Sequence, residues 1–221
     1  DELTVTVAAA LTMNIAMAAL QDRLQSHPGP LDPTLLSEIR SHPERGAALL
    51  QQLGVDDPLW LAAVRDHHEQ VDGNGYPQGK AGSAIALPAR LMLMADIYCA
   101  RVSAREFRPA ILPNVVMRWL FLDHHNGIDK GLSELFIKTL GIYPPGTGVR
   151  LRNGGYGVVT QRGTRSHQPR IAAVTTADGQ RLASPIRLGH DSDGAIAEVV
   201  DLATLQLEPE MAWLWGRDAA L

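Results

Sequence analysis

The stretch RDHHEQVDGNGYPQGKAG, residues 65–82, places the adjacent His67 and His68 between carboxylates. A loop that holds four glycines follows them. Trp60 and Val64 share a helical face with both histidines, so the pair lies on the side that faces the core. Neighbouring side chains on a helix point about 100° apart, so both reach one metal ion only at a helix end or beside a second helix. The stretch predicts either a metal site beside a shaped loop, or only a helix end and a turn.

The composition is that of an ordinary globular protein, with 221 residues, 45% hydrophobic, and a formal net charge of -4. This charge gives no global basic field for a nucleic-acid polymer. A single cysteine excludes a disulfide within the chain and fits a reducing compartment, so we expect a cytoplasmic protein. No run of eighteen apolar residues is present, which predicts no transmembrane helix. Because the chain starts without methionine at an apolar helix, we interpret it as a fragment that an upstream sensory or regulatory domain precedes.

Residues 1–143 are predicted to form a helical domain, because Ala, Leu and Met dominate and strand-like alternation is scarce. One helix is expected over roughly Thr4 to Leu24. Pro43 predicts that the next helix ends near Arg40, and the capping-box pattern SHPE then restarts a helix that runs to Leu53. The overall fold class is therefore mainly α.

Residues 144–221 change character and predict a small antiparallel β unit with a C-terminal arm. Short segments rich in Val and Ile alternate with turn residues, and Asp178-Gly179 indicates a hairpin. The arm carries a Met-Trp-Leu-Trp segment, residues 211–215, whose aromatic residues predict packing on the body of the protein, with an interface as the alternative.

Four residues are candidate metal ligands: His42, His67, His68 and Asp96. Asp96 lies in the apolar run LMLMADIYCA, where a carboxylate is unfavourable unless it is hydrogen-bonded, paired or bound to metal. Three imidazoles and one carboxylate suit zinc, manganese or iron. Each residue taken singly also has a structural explanation, as a buried histidine with a hydrogen-bond partner or as a paired aspartate.

The motifs HP (42–43), DHHEQVDGNGYPQG (66–79) and ADIY (95–98) resemble the HD-GYP family, a branch of the metal-dependent HD phosphohydrolases. This resemblance covers most of the chain, and LGIYPPGTGVRL (140–151) resembles the family's C-terminal part. It implies an HD-superfamily helical bundle around two or three metal ions. It also implies hydrolysis of cyclic di-GMP by a metal-activated water that attacks a phosphodiester.

The chain departs from the family at the HD pair itself. The segment AALTMNIAM (9–17) has Met13 where the family has His, Asn14 where it has Asp, and Met17 where it has Lys. Methionine is a poor ligand for hard divalent ions, and a neutral amide does not offset the repulsion between two close cations. The resemblance therefore implies a half-site of His42, His67 and His68, with Asp96 as a ligand of a neighbouring metal. Either one divalent transition metal (iron, manganese, zinc or nickel) binds, or none does and the histidines are hydrogen-bonded.

The resemblance implies further roles around this site. Arg105 and Arg108, in REFR, would contact the phosphates of cyclic di-GMP. Gly75, Tyr76 and Pro77 would form a surface that docks GGDEF-type or other signalling domains, with Tyr76 exposed. Glu69 is a candidate general base or hydrogen-bond partner of a metal ligand. Homodimerisation is an open alternative.

Three functions follow from these residues. The first is a degenerate HD-GYP domain that acts as a regulatory or binding module in cyclic di-GMP signalling, with weak or no phosphodiesterase activity. The second is an active phosphodiesterase with an altered metal site, and the third is a docking domain that binds no nucleotide.

Overall fold

The computed structural model describes residues 1–25, 31–104, 109–122, 127–163, 168–188, 195–207 and 209–215. The chain forms two compact units, of which the first comprises Asp1–Ile111 with Leu120–Ser133 and the second comprises Leu112–Trp119 with Glu134–Leu221. The described residues hold more helix than strand, with all strands in one antiparallel sheet. The predicted fold class, mainly α with a small antiparallel β unit, is confirmed.

The helices begin where the sequence supplies caps and N-terminal prolines. Asp32 and Asp57 accept hydrogen bonds from backbone N–H groups of the first turns that follow them, and Pro33 and Pro58 open those helices. The α-helices are α1 (Glu2–Thr12), α2 (Ala18–Gln25), α3 (Pro33–Gln52), α4 (Pro58–Asp66), α5 (Leu87–Val102), α6 (Pro113–Leu122), α7 (Lys130–Leu140) and α8 (Met211–Trp215).

The single helix predicted over Thr4 to Leu24 is wrong, because the chain turns after Thr12. A short 3₁₀ turn, Ile15–Met17, separates α1 from α2. The turn lets two apolar sets pack in different places. Met13 and Ile15 pack against the core cluster around Val64, whereas Met17 joins a second cluster with Leu20, Leu24 and Leu35. Hydrophobic periodicity does not reveal such a break between two helices.

The helix end predicted near Arg40 is also wrong, because α3 runs without interruption through Pro43. An interior proline removes one backbone hydrogen bond and crowds the carbonyl four residues earlier, which here belongs to Ile39. That carbonyl has another partner, the Nδ1 of His42, at 2.6 Å. Burial of one face of α3, including His42, Pro43 and Ala47, offsets the loss of the helical hydrogen bond.

The second unit contains a five-stranded antiparallel sheet in the order β4-β3-β2-β1-β5. Its strands are β1 (Gly148–Leu151), β2 (Tyr156–Gln161), β3 (Arg170–Thr175), β4 (Arg181–Leu188) and β5 (Ile196–Val199). The predicted hairpin at Asp178-Gly179 is confirmed, since it joins the paired strands β3 and β4. The C-terminal segment packs on one sheet face as an arm, with Leu214 buried and the Trp215 indole donating to the carbonyl of Thr160 at 3.1 Å.

Among the described residues, one stretch is long and apolar enough to cross a membrane by length and composition alone. It is Glu2–Gln21, with a mean hydropathy of 1.8. The expectation of no transmembrane helix rests on the lack of an unbroken apolar run, whereas mean hydropathy averages over interspersed polar residues. Mostly buried core helices of soluble proteins and signal sequences pass the same test, and 17% of this window is buried, including Ala9. The stretch by itself therefore assigns no membrane role.

Candidate metal centre

Three histidines converge inside the first unit. His42 comes from the middle of α3, while His67 and His68 follow the last residue of α4. One ring nitrogen from each lies within 4.8 Å of the others, and in the described part of the chain no other group of three or more ligand-type side chains clusters in this way. The helix ends at Asp66, so the two adjacent histidines lie at a helix end, one of the two places where both can reach the same metal ion.

The orientation of His42 follows from the proline that comes after it. Pro43 has no N–H to give to the carbonyl of Ile39, and His42 Nδ1 lies 2.6 Å from that oxygen. A carbonyl oxygen only accepts hydrogen bonds, so Nδ1 carries the proton. In the neutral ring Nε2 is then left with a lone pair that points away from the helix backbone. The HP dipeptide thus both places and orients this imidazole.

A backbone carbonyl near the end of α4 orients the His67 ring in the same way. His67 Nδ1 lies 2.6 Å from the carbonyl oxygen of Val64 and therefore donates to it. The Nε2 atoms of His67 and His42 face each other at 3.1 Å. Two neutral rings with these tautomers bring two lone pairs together, and either a cation held between them or a proton on one of the two rings relieves their repulsion. Two nitrogens that each lie about 2.1 Å from a tetrahedral ion are about 3.4 Å apart, so the observed distance suits a metal ion.

Burial keeps the three rings in the form that binds metal. The pKa of His67 falls to about 4 and that of His68 to about 2, in both cases chiefly because burial disfavours the charged ring. The pKa of His42 is also lowered by burial and, to a smaller extent, by the charge of Arg45. At neutral pH all three imidazoles are therefore uncharged, as metal ligation requires. The donor set fits a transition metal such as zinc, iron or manganese.

The Gly-Tyr-Pro loop packs directly on the histidine pair. A Cβ atom at Gly75 would lie 2.3 Å from the backbone nitrogen of Gln70, so only glycine allows this approach. The Tyr76 ring stacks on the His68 ring with centroids 4.7 Å apart and planes 22° apart. Burial raises the pKa of the Tyr76 phenol far above its usual value, and the charge of Asp96 adds to the effect. The expectation that Tyr76 is exposed is wrong, because the ring is half-buried against a candidate ligand.

Glu69 is fully buried, and both of its carboxylate oxygens are engaged by the loop. They accept hydrogen bonds from the backbone N–H groups of Gln78 at 2.6 Å and Lys80 at 2.9 Å. These contacts favour a role in holding the loop over the predicted role as general base. The preceding carboxylate, Asp66, accepts from Lys80 Nζ at 2.6 Å. Sequence reasoning missed this Asp66–Lys80 ion pair, because no periodic pattern relates two residues on a helix and a loop.

A cavity of about 760 Å³ opens beside the histidines. His42, His68, Tyr76, Asn14 and Asp96 supply polar side chains to its lining. Asp96 therefore shares the cavity but is not part of the histidine cluster, and its role as a metal ligand stays a prediction.

The segment that corresponds to the HD pair, residues 13–17, contributes only uncharged side chains to the cavity lining. Asn14 and Met17 line the cavity, whereas Met13 packs against the core cluster. Met17 is 8% exposed and contacts the apolar cluster on α2 and α3. Arg105 and Arg108, the predicted phosphate contacts, lie outside the described residues. Sequence reasoning missed Arg40, whose guanidinium carbon lies 5.9 Å from the centroid of the Tyr76 ring.

A helical unit with three inward-facing histidines beside a polar cavity is the architecture that the HD-type resemblance predicts. The chain belongs to the HD domain family, whose family model, described as HD domain, matches residues 1–129. The resemblance to the HD-GYP branch is confirmed as well by the curated relatives.

A cyclic di-GMP phosphodiesterase of Pseudomonas aeruginosa is 33% identical over 170 residues, which are 76% of this chain and 41% of the relative. The cyclic di-GMP phosphodiesterase response regulator RpfG of Xanthomonas campestris pv. campestris is 32% identical over 55% of this chain and 32% of its own length. The 3′3′-cGAMP-specific phosphodiesterase 3 of Vibrio cholerae is 29% identical over 62% of this chain and 29% of its own length. The match thus spans less than half the length of each of these three relatives.

Proposed function

We propose that this chain is a regulatory or binding module of cyclic di-GMP signalling in the cytoplasm. It holds one transition-metal ion and has weak or no phosphodiesterase activity. The relatives are cyclic dinucleotide phosphodiesterases, and the triad of His42, His67 and His68 fits one metal ion. The observation that carries the proposal is that the segment corresponding to the HD pair lines the cavity with Asn14 and Met17 and no charged group.

The chemistry of phosphodiester cleavage explains why these neutral groups matter. A bound metal ion supplies a water of lowered pKa as the nucleophile, and a two-metal site also stabilises the leaving oxygen. Two divalent ions about 4 Å apart repel each other strongly unless a carboxylate lies between them. Asn14 offers a carbonyl oxygen without charge, so the site favours a single ion. With Met17 buried among leucines, that position provides no cation for the phosphate.

The cavity still suits a nucleotide ligand. Its volume of about 760 Å³ lies within the range of small-molecule sites, and its lining combines polar side chains with apolar ones such as Leu24 and Ile39. In this proposal His42, His67 and His68 would hold the ion, which would supply positive charge for a phosphate. Asn14 and Gln21 provide hydrogen bonds at the cavity wall, while Asp96 accepts from donors on a base or a sugar. In this proposal the domain binds cyclic di-GMP without efficient hydrolysis and so acts as a sensor of the nucleotide.

The test combines metal analysis, nucleotide titration and an activity assay on protein purified without oxygen. We expect about one iron, manganese or zinc ion per chain, calorimetric binding of cyclic di-GMP, and turnover at least about 100-fold below that of the Pseudomonas aeruginosa relative assayed in parallel. The His42→Gln variant is the control for the metal. Turnover comparable to that of the relative contradicts the proposal, and so does a chain that binds no nucleotide.

One observation favours a second candidate, an active phosphodiesterase with a single metal ion. Asp96 lines the same cavity as His42 and His68, so a carboxylate shares the cavity with two of the residues that would hold the ion and would be available to orient an attacking water. This candidate predicts slow hydrolysis of cyclic di-GMP or 3′3′-cGAMP that requires added metal and disappears in Asp96→Asn. Hydrolysis that persists in Asp96→Asn would count against it and point to a contaminating enzyme.

A further inference from the structure

The three histidines of the cluster are oriented in two different ways. His42 and His67 each donate from Nδ1 to a backbone carbonyl three residues earlier, at 2.6 Å. Within the described residues, the structure shows no corresponding hydrogen bond to the ring of His68. Its ring contacts are aromatic: the His67 centroid lies at 4.3 Å and the Tyr76 centroid at 4.7 Å. Metal-binding histidines normally need a partner on the far side of the ring to fix their orientation. For His68 the described residues supply a stacked ring instead, since Tyr76 lies against the face of the imidazole and restrains its tilt.

Tyr76 is itself held by the backbone that carries His68. Its N–H donates to the carbonyl oxygen of His68 at 3.2 Å. The neighbouring Gly75 lies so close that an added Cβ would be 2.6 Å from that same oxygen. Ring and backbone of the tyrosine thus both contact His68, so a shift of the loop moves the tyrosine ring relative to the imidazole.

Glu69 fastens the far end of this loop. Its carboxylate is fully buried and accepts from the N–H groups of Gln78 and Lys80. The two hydrogen bonds engage both oxygens of one carboxyl group and so fix its orientation. The loop returns to its start at an isolated bridge between Asp72 and Ala81. The segment that carries Tyr76 is therefore closed on itself and tied to the residue next to the histidine pair.

We propose that Tyr76 and Glu69 are positioning residues for the metal ligand His68, with Glu69 holding the loop and the loop holding the Tyr76 ring against the imidazole. This inference rests on the metal site of the proposed function. In this inference Gly75 and Tyr76 of the Gly-Tyr-Pro motif act together, because the glycine allows the close approach of the loop and the tyrosine ring stacks on His68. A partner that displaces the loop would accordingly weaken metal binding, and metal binding would order the loop, since such coupling is reciprocal.

The experiment measures the dissociation constant of Co²⁺ from its visible absorption, with Zn²⁺ competition, in wild type and four variants. Tyr76→Phe keeps the stacking ring and is expected to bind like wild type. Tyr76→Ala and Glu69→Gln are expected to bind about 10-fold more weakly, the usual effect of removing a partner of a metal ligand. Gln78→Ala is the matched control for Glu69→Gln, because it keeps the backbone N–H that the carboxylate binds and is expected to bind like wild type.

Two further measurements separate positioning from general loss of structure. In a His68→Ala background, Tyr76→Ala should cause no additional loss of affinity, whereas an equal additional loss overturns the proposal. An unchanged dissociation constant for Tyr76→Ala overturns it as well. Should Glu69→Gln fail to fold, the Tyr76 series alone decides.

If wild type takes up no metal, the proposed metal site fails and the loop is tested separately. Amide exchange at Gln78 and Lys80, together with ring-to-ring nuclear Overhauser effects between Tyr76 and His68, then provides the readout. Faster exchange and a lost ring contact in Glu69→Gln relative to Gln78→Ala support the positioning role. An unchanged ring contact overturns it.

Discussion

The two walls of the cavity differ in the side chains that they present. The wall from α3 and the end of α4 presents His42 and His68, with His67 behind them, each in a defined orientation. The wall from the turn after α1 presents Asn14 and Met17, which carry no charge. The imidazoles of the histidine wall are oriented by backbone carbonyls and by the loop. The charge of the other wall depends on which side chains stand at positions 14 and 17, so substitutions can alter the two walls separately.

The largest effect is expected from removing a histidine of the first wall. His42→Gln keeps polarity and approximate size but loses the ring nitrogen that faces His67. We expect metal affinity to fall by more than about 100-fold, beyond the loss typical of residues that only orient a ligand. Elemental analysis after dialysis against a metal buffer measures it. Wild-type metal content in this variant contradicts the assignment of the site.

The next effect tests how far the histidine wall relies on the loop. Gly75→Ala places a Cβ atom 2.5 Å from the Glu69 Cα, against backbone that has little room to move. We expect the free energy of unfolding to fall by about 1–3 kcal/mol, the range for overpacked sites, together with weaker metal binding. Denaturant unfolding measures the change in stability. Gly131→Ala in α7 is the control, since the nearest atom to its Cβ lies 3.5 Å away and no destabilisation is expected.

A smaller effect comes from restoring charge to the second wall. Asn14→Asp puts a carboxylate into the cavity, so we expect more metal per chain than in wild type at equal free metal. Adding Met13→His gives the pair that the family carries. We still expect no activity, because Met17 remains. Met13 packs against the core cluster, so its replacement by histidine should also lower stability, by about 1–3 kcal/mol. Metal content unchanged in both variants would show that the two walls do not share an ion.

The smallest effect concerns the proline after His42. Pro43→Ala supplies an N–H that competes with His42 Nδ1 for the carbonyl of Ile39. We expect α3 to become more stable and metal affinity to fall a few-fold, roughly 2- to 5-fold and below the usual loss for a deleted partner. Thermal unfolding and Co²⁺ titration report the two changes. Pro33→Ala at the start of the same helix is the control and should leave affinity unchanged, while an affinity gain in Pro43→Ala would rule out this role for the proline.

Much of the architecture was open to prediction from the sequence because it depends on local patterns. The proline starts of α3 and α4 and the hairpin at Asp178-Gly179 follow from capping and turn chemistry. The failures arose where a distant contact outweighed a local preference. Pro43 stays inside a helix because that helix buries one face, and the chain turns after Thr12 because its apolar residues pack into two separate clusters.

The sequence by itself determined the class of the protein, since the HHE and Gly-Tyr-Pro motifs and the missing His-Asp pair are visible in the printed letters. The contacts that these residues make depend on the tertiary structure. It brought His42 within 3.1 Å of His67 across 25 residues of chain, turned Tyr76 from a predicted surface residue into the stacking partner of His68, and used both oxygens of Glu69 to hold the loop. The physical reason is that residue types set the available chemistry, whereas distances, tautomers and hydrogen-bond partners arise only when separate segments pack together.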